Sequence, residues 1–299
     1  MNVAVIVASV NRGEEIGQLL AQLACQTLRP VKIILSVERQ EDLPALLEPR
    51  VQIVMGCKGL TAQRNRGLDA LQGAADVVVF YDDDFLPTPT ALEGIARLFA
   101  KYPDIVGATG LVLRDGVRQG GIPYETALAL VNAQRPAAGA VYAITPVDEL
   151  YGCNMAFRAS ALQDLRFDEQ LPLYAWQEDV DFAGQLLRKG RVVKTDAFAG
   201  VHRGVSKGRS PGVALGFSQM VNPAYLVRKG TMRPRKAAWL MVRNLVANHV
   251  LAFKPEPFID RLGRARGNWL GLWYILSGKA DPTAILSMAA LVSPPPAQL

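Results

Sequence analysis

The sequence predicts an α/β fold, a mostly parallel central sheet flanked by helices, with a helical C-terminal extension. Three observations carry this. Short apolar runs alternate with helical stretches through the first two thirds of the chain, the pattern of strand–helix–strand crossovers. Val77–Tyr81 is apolar and aromatic throughout, as a strand buried on both faces must be, and it runs without a break into Asp82-Asp83-Asp84. Near Gly216 the composition changes to helical, basic and aromatic.

Taken in order, Val3 to Ala8 reads as a strand, followed by the loop Ser9-Val10-Asn11-Arg12-Gly13. Glu14 to Gln26 places Ile16, Leu19, Leu20 and Leu23 at helical spacing. Val31 to Val37 and Val51 to Val54 are the next strands. Thr61 is positioned to cap a helix reaching about Leu71, and Thr88 to cap one from Pro89 to Lys101. Ile105 to Leu113 reads as a strand, Glu125 to Val131 as a helix, and Val141 to Thr145 and Gly152 to Arg158 as strands, the last leading into a short helix from Ser160. A helix from Glu178 to Lys189 buries Phe182, Ala183, Leu186 and Leu187, and Gly190 stops it. Val192 to Thr195 is the last strand. The tail around Pro294-Pro295-Pro296 reads as disordered.

The acidic triplet is the chemical centre. Three adjacent carboxylates repel one another, and burying them unpaired is costly. Side chains alternate along an extended chain, so Asp82 and Asp84 point one way and Asp83 the other. That makes a two-carboxylate oxygen site for a divalent cation at the C-terminal end of a strand, where open α/β sheets bind ligands. The plain alternative is a solvated acidic turn. The helix start with Gln63, Arg64, Asn65 and Arg66, after the loop Gly56-Cys57-Lys58-Gly59-Leu60, reads either as an anion cradle or as a cationic surface helix. Glu178, Asp179 and Asp181 in the first turn of their helix complement its dipole, and a carboxylate held ionised there suits a general base. Val201 to Ser210 sets His202 among Gly, Ser and the cations Arg203, Lys207 and Arg209, a phosphate-binding loop with a histidine available to the metal.

Bulk properties narrow the classes. The 299 residues are half hydrophobic and carry a net charge of +6, which suits an anionic ligand or membrane surface. No long basic run points to nucleic acid. Three scattered cysteines and two histidines make no disulfide framework and no multi-histidine metal site. No glycine-rich dinucleotide fingerprint follows any strand. An apolar strand at the start, without a signal-peptide lead, gives the expectation of a cytoplasmic protein, with peripheral attachment to the inner face of the membrane as an extension of it. Arg261, Arg264 and Arg266 precede Trp269, Leu270, Leu272, Trp273 and Tyr274, which fits helices on an anionic bilayer as well as helices packed on the main domain or on a second subunit of a homodimer.

With these pieces placed, the chain resembles a family-two, inverting glycosyltransferase of the GT-A fold. Five motifs occur in the family's order: Ser9 to Arg12, Ala62 to Leu68, Phe80 to Asp84, Gly152 to Arg158, and Phe167-Asp168-Glu169 followed by Glu178-Asp179. The match spans roughly residues 1 to 210. The resemblance implies Mn²⁺ or Mg²⁺ held by Asp82, Asp84 and His202, a nucleotide-sugar donor, UDP-linked for preference, and a glycan or lipid-linked saccharide acceptor. Asp179 is the implied base and Glu178 the second choice. Ser9, Asn11, Arg12, Glu38, Lys58, Arg64, Asp82, Asp83, Arg203, Lys207 and Arg209 are implied on the donor side, and Asn154 and Trp176 against the donor sugar or the acceptor. The chain departs from the family where its second strand ends in Ser36-Val37-Glu38, so the base-reading acid is Glu38, Asp42 or absent. The expected division is a catalytic domain over 1–215 and a helical extension over 216–299. The rivals are a sugar-nucleotide pyrophosphorylase, whose glycine-rich loop is missing after the first strand, and a non-catalytic sugar-nucleotide-binding protein.

Overall fold

A computed structural model describes residues 1–45, 47, 50–117, 120–134, 142–205, 211–254, 256 and 259–288. The chain divides into two compact units. The first comprises Met1–Lys58, Ala62–Phe167 and Phe182–Lys207, and the second Gly59–Thr61, Asp168–Asp181 and Gly208–Leu299.

The first unit is built on one sheet. Its strands are β1 (Val3–Ala8), β2 (Lys32–Val37), β3 (Val51–Met55), β4 (Val77–Asp82), β5 (Phe85–Pro87), β6 (Ile105–Asp115), β7 (Ile144–Pro146), β8 (Asn154–Arg158) and β9 (Arg191–His202). The spatial order is β3-β2-β1-β4-β8-β6-β9-β5, with β7 also paired to β9. β3, β2, β1 and β4 run parallel, as crossovers through α1 (Gly13–Ala24) and α2 (Leu60–Leu71) require. β6 and β9 share their direction, and β8, β5 and β7 run against it. The sheet is therefore mostly parallel, with β4 near its middle.

Strand alternation sorts the core into two faces. Val3, Val5 and Val7 pack with Ile16, Leu19 and Leu23 of α1 and with Leu92, Ile95 and Phe99 of α3 (Ala91–Lys101). Ala4 and Ile6 face the other way, toward Leu68 and Leu71 of α2 and toward Phe182, Ala183 and Leu186 of α5 (Glu178–Leu186). An aromatic cluster completes that face, with Phe167 stacked on Phe182 at 4.1 Å and Phe80 edge-on to Phe167 at 5.2 Å between centroids. A further helix, α4 (Tyr124–Ala133), buries Ala127 and Val131 against Leu86 and Val201.

Several element boundaries differ from the sequence reading. α2 begins at Leu60, so Thr61 is inside its first turn, and its hydroxyl donates to the Leu171 carbonyl rather than capping. Thr88 caps nothing. Phe85–Pro87 is a strand antiparallel to β9, the Thr88 N–H donates to Ala199 O, and α3 starts only at Ala91. β9 runs from Arg191 through His202 although Thr195 to Gly200 is too mixed in sequence to read as a strand: Thr195 pairs with Ile144 of β7, and beyond a register shift Ala199 and Gly200 pair with β6 and Gly200 also with β5. α5 stops at Leu186, short of Lys189. The readings for Val141 and for the proline tail fall outside the described residues.

The second unit contains α6 (Gly212–Lys229), α7 (Pro234–Ala252) and α8 (Arg261–Leu276). Leu171, Ala175 and Val180 pack there with Leu226, Met232, Ala237 and Leu240.

One glycine is explained by packing. A Cβ on Gly67 of α2 would lie 2.3 Å from Ile6 Cγ2 of β1, so the helix reaches the sheet only because that position has no side chain. Gly67→Ala should destabilise the protein by about 1–3 kcal/mol through overpacking, despite a helix-propensity gain of about 1 kcal/mol. Chemical denaturation measures this, and because Ile6 is fully buried, Gly67→Ala combined with Ile6→Ala should lose less than the sum of the two single losses. A Gly67→Ala protein as stable as the parent would contradict the packing.

Candidate functional site

β4 ends at Asp82, the chain turns through Asp83 and Asp84, and β5 carries it back along β9. The turn divides the three carboxylates. Asp83, almost fully buried, accepts from the Ser9 hydroxyl at 2.5 Å and from Arg12 Nη1 at 2.6 Å. Asp84, equally buried, accepts from the Val205 N–H at 2.7 Å and faces His202 Nε2 at 3.4 Å. Asp82 is more open and accepts from Arg64 Nη2 at 3.1 Å. Asp82, Asp84 and His202 each bring one ligand atom to within 4.8 Å of the others.

The pKa values follow from this partition. Burial and the neighbouring Asp84 charge push Asp83 up to about 7, against Arg12 and Ser9. Burial also opposes charge on Asp84, but His202, Arg12 and the Val205 N–H outweigh it and hold its pKa below the usual carboxylate value. Burial alone would lower His202, yet its contacts with Asp115 and Asp84 raise it to about 10.

Two residues around the histidine were not singled out in the sequence. Asp115, the last residue of β6, lies 3.2 Å from His202 Nδ1, and the Tyr151 hydroxyl donates to Asp115 at 2.6 Å. Asp115 is held down to about 2, burial being outweighed by His202, Tyr151 and the Val117 N–H. A carboxylate behind an imidazole fixes ring orientation, as partners of metal-bound histidines do. The available signal was an acid at the end of a strand, visible only once β6 is known to run past Leu113. Gly204 (φ +67°) turns the chain after His202 so that the Val205 N–H reaches Asp84.

The donor set suits a hard divalent ion, since carboxylate oxygens and one imidazole are ordinary ligands for Mn²⁺. A six-coordinate ion with bonds of about 2.1 Å spans about 4.2 Å between opposed ligands, so small side-chain adjustments close the observed spread. Without an ion, Arg12, Arg64 and His202 balance the acidic charge.

The other expected donor-side residues occupy varied places. Asn11 is exposed, with φ +58°, and its N–H donates to Asp42. Asp42 is fully buried and also accepts from the Glu38 and Arg39 N–H groups, so its carboxylate is committed to the loops, whereas the half-buried Glu38 side chain is not. Lys58 is exposed. Arg64 is buried, bonded to Asp82 and the Gly152 carbonyl and packed over Phe80 and Phe167. Asn154 is fully buried, and its amide side chain has no hydrogen-bond partner. Arg203 donates to the Ile122 carbonyl and to Gln18 and lies over Tyr124. Lys207 and Arg209 fall outside the described residues.

Glu178 and Asp179 belong to the second unit, in the first turn of α5. Glu178 is buried and Asp179 is half-buried. The chain entering that turn is strained. Leu173, Ala175 and Gln177 all have positive φ, at +59°, +50° and +74°, at a cost of about 1–2 kcal/mol each. Packing holds it, through Leu171, Ala175 and Val180 in the core and through Asn222 Nδ2, which donates to the Trp176 carbonyl at 2.8 Å. A polar clamp adds to this. Asp181, fully buried, accepts from Lys229 Nζ at 2.7 Å and from the Thr231 hydroxyl at 2.6 Å. Lys229 also donates to Asp168 at 2.6 Å, where the Tyr225 hydroxyl arrives at 2.8 Å.

Comparison with known proteins places the chain. The family model described as glycosyl transferase family 2 matches residues 4–166, more than half its length. The chain belongs to glycosyl transferase family 2. The matched span contains Ser9 to Asn154 of the site but stops before Glu178, Asp179 and His202. A curated relative, the glucosyl-dolichyl phosphate glucuronosyltransferase of Haloferax volcanii, is 27% identical over 173 residues, covering 53% of this chain and 53% of that protein. The chain thus spans about half the length of that relative. Among solved structures, S. aureus TarS 1-349 is similar at a TM-score of 0.54 and 16% identity, covering 98% of this chain and 83% of that one. Its complex with UDP gives 0.55 and 15%, covering 97% and 91%. The likeness is one of fold, and the fold of the chain is GT-A.

The clamp on α5 makes a prediction for the second unit. Lys229→Met removes the cation from a fully buried carboxylate, so the protein should lose about 3 kcal/mol, the low end for breaking a buried pair because Lys229 is partly exposed. Lys229→Arg should lose less. Equal unfolding midpoints for the parent and Lys229→Met would show that the clamp contributes nothing.

Proposed function

We propose that this chain is a metal-dependent, inverting glycosyltransferase that moves a sugar from a UDP-sugar to a hydroxyl of a lipid-linked or free glycan acceptor in polysaccharide biosynthesis. The observation that carries the proposal is the grouping of Asp82, Asp84 and His202 at the C-terminal end of β4, where α/β sheets receive ligands. The UDP and UDP-GlcNAc complexes of TarS support a uridine nucleotide donor. The name of the Haloferax relative, a transferase acting on a sugar linked to dolichyl phosphate, supports a lipid-linked acceptor.

Asp82, Asp84 and His202 are the residues that would hold Mn²⁺ or Mg²⁺. When bound, the ion supplies positive charge against the leaving nucleoside diphosphate. Arg12 and Ser9 hold Asp83 and so keep the turn in place. Arg64 orients Asp82, and Asp115 with Tyr151 orients His202. Asp179 takes the proton of the acceptor hydroxyl as that oxygen bonds to the anomeric carbon. The bond from the same carbon to the diphosphate oxygen breaks on the opposite face, so the configuration inverts. Glu178 is the alternative base. Over the chain, the assigned residues all fall within 1–215, leaving 216–299 as a helical extension with other duties.

The test separates binding from transfer. Asp179→Asn should bind UDP in the presence of Mn²⁺ within about twofold of the parent while releasing UDP from UDP-sugars with a lipid-linked saccharide acceptor about 10²–10⁴-fold more slowly. Calorimetry reads the first quantity and product release the second. Full turnover by Asp179→Asn would move the base elsewhere. UDP binding with no transfer by the parent across a panel of sugars and acceptors would leave a sugar-nucleotide-binding protein.

A further inference from the structure

In the second unit, α6 supplies large buried apolar residues, Phe217, Met220, Val221 and Leu226. The inward-facing positions of α7 and α8 are, apart from Leu240, small or polar. In α7 they include Ala237, Asn244 and Asn248, and in α8 Gly263, Ala265, Gly267, Asn268 and Gly271. A Cβ on Gly267 would lie 2.1 Å from Val213 O, and one on Gly271 would lie 2.8 Å from Met220 Cβ, so α8 meets α6 nearly backbone to backbone. Amides fill the seam. Asn248 Nδ2 donates to Gln219 Oε1 at 2.8 Å and to Asn268 Oδ1 at 2.9 Å, and Asn268 Nδ2 donates to Gly216 O at 2.8 Å.

Many of their large apolar residues point out. Trp239, Val242, Val246, Val250 and Phe253 recur every three or four positions along α7 and its end, and each is more than half exposed, Phe253 by 89%. Trp269, Trp273 and Leu276, the last at 87%, do the same along α8, with Leu262 two turns before Trp269, whereas Leu270, Tyr274 and Ile275 pack inward. Trp269 Nε1 donates to His249 Nε2 at 2.8 Å, which joins the two stripes into one surface. Small residues and amides between helices with large apolar residues outside is the packing pattern of helices that face lipid. Isolated exposed apolar residues need no explanation, but two stripes in register form a patch that does. Among the described residues, no helix is long and apolar enough to cross a membrane, so the surface suits a bilayer interface rather than a span.

Charge selects the occupant. Residues 228–279 contain eleven Lys and Arg against two Asp and Glu, a net of +9 where the whole chain carries +6. Arg233, Arg235, Arg243, Lys254, Arg266 and Lys279 are exposed, and Arg243 lies 4.7 Å over the Trp239 ring. A two-fold contact with a second copy would press two such cationic faces together, whereas anionic headgroups neutralise them. We propose that the exposed face of α7 and α8 is a docking surface for an anionic lipid bilayer, with the tryptophans in the interface and the arginines on the headgroups. The proposal stands on packing and charge and does not depend on the transferase assignment.

The experiment uses the full chain with vesicles of phosphatidylcholine alone and of phosphatidylcholine with phosphatidylglycerol. The parent should co-sediment at least tenfold more with the anionic vesicles, and its tryptophan emission should shift to the blue and be quenched by acyl-chain-brominated lipid. The triple variant Trp239→Ser, Trp269→Ser, Trp273→Ser should lose that binding at least tenfold with its circular dichroism unchanged. Arg235→Glu with Arg243→Glu and Arg266→Glu should abolish the preference for anionic vesicles. Equal binding to both vesicle types, or none to either, overturns the proposal. So does a dimer in sedimentation velocity that the triple tryptophan variant dissolves without any vesicle binding, which would assign the face to a second copy.

Discussion

Three adjacent carboxylates at the end of the central strand impose the constraint on which the first unit depends. Two of them are almost completely buried, and carboxylates are not buried without compensation. The chain answers by sending them to different partners. Asp83 is satisfied by Ser9 and Arg12 from the loop after β1, Asp82 by Arg64 of α2, and Asp84 by His202 and the Val205 N–H after β9. Three separated segments of sequence thus converge on one turn. The parallel order that puts β4 beside β1 brings the Ser9 loop to it, and the antiparallel β5–β9 ribbon brings His202. What balances charge in the free protein also leaves one oxygen of each of Asp82 and Asp84 beside the imidazole, which is the arrangement a hard cation requires.

The second unit faces a different problem, which is to hold a short acidic helix start at the end of a strained segment. Three left-handed residues in five would not persist by themselves. They persist because both sides of the segment are anchored, on one side by the Leu171, Ala175 and Val180 core and on the other by Lys229 and Thr231, which follow each other around the C-terminal cap of α6 at Gly230. Strain kept by surrounding packing is common where a side chain must be presented in one orientation. Here the side chains in question are Trp176, Glu178 and Asp179.

Much of this was legible in the sequence, for identifiable reasons. The apolar run of β4 and the triplet after it declare a buried strand with a charge problem, and the helical spacing of Ile16, Leu19 and Leu23 declares α1. The histidine was legible as a lone imidazole near an acidic cluster that lacked a third ligand. What stayed hidden depends on distant pairing. Thr195 to Gly200 has no strand pattern of its own and is carried into β9 by distant partners, β7 at Thr195 and β6 with β5 at Gly200. Asp115 lies past the end of the strand read to Leu113, because the bulged end of β6 does not alternate. Lys229 carried no signal in the sequence, since its two carboxylate partners lie 48 and 61 residues away in the chain. The alternation argument for the triplet reached the correct grouping by an incomplete route, since a turn at Asp83 and Asp84, not a continued strand, separates the side chains.

The functional proposal rests on the claim that this carboxylate turn and its histidine receive a divalent ion together with a nucleoside diphosphate. Diffraction from crystals soaked in manganese and UDP, recorded at the manganese absorption edge, addresses it directly. The account predicts a single strong anomalous peak bonded to Asp84 and His202, with Asp82 bonded to it or turned toward the nucleotide, and the diphosphate on the same ion. Clear density for UDP with no anomalous peak at these residues, or a peak held by other side chains, would contradict it.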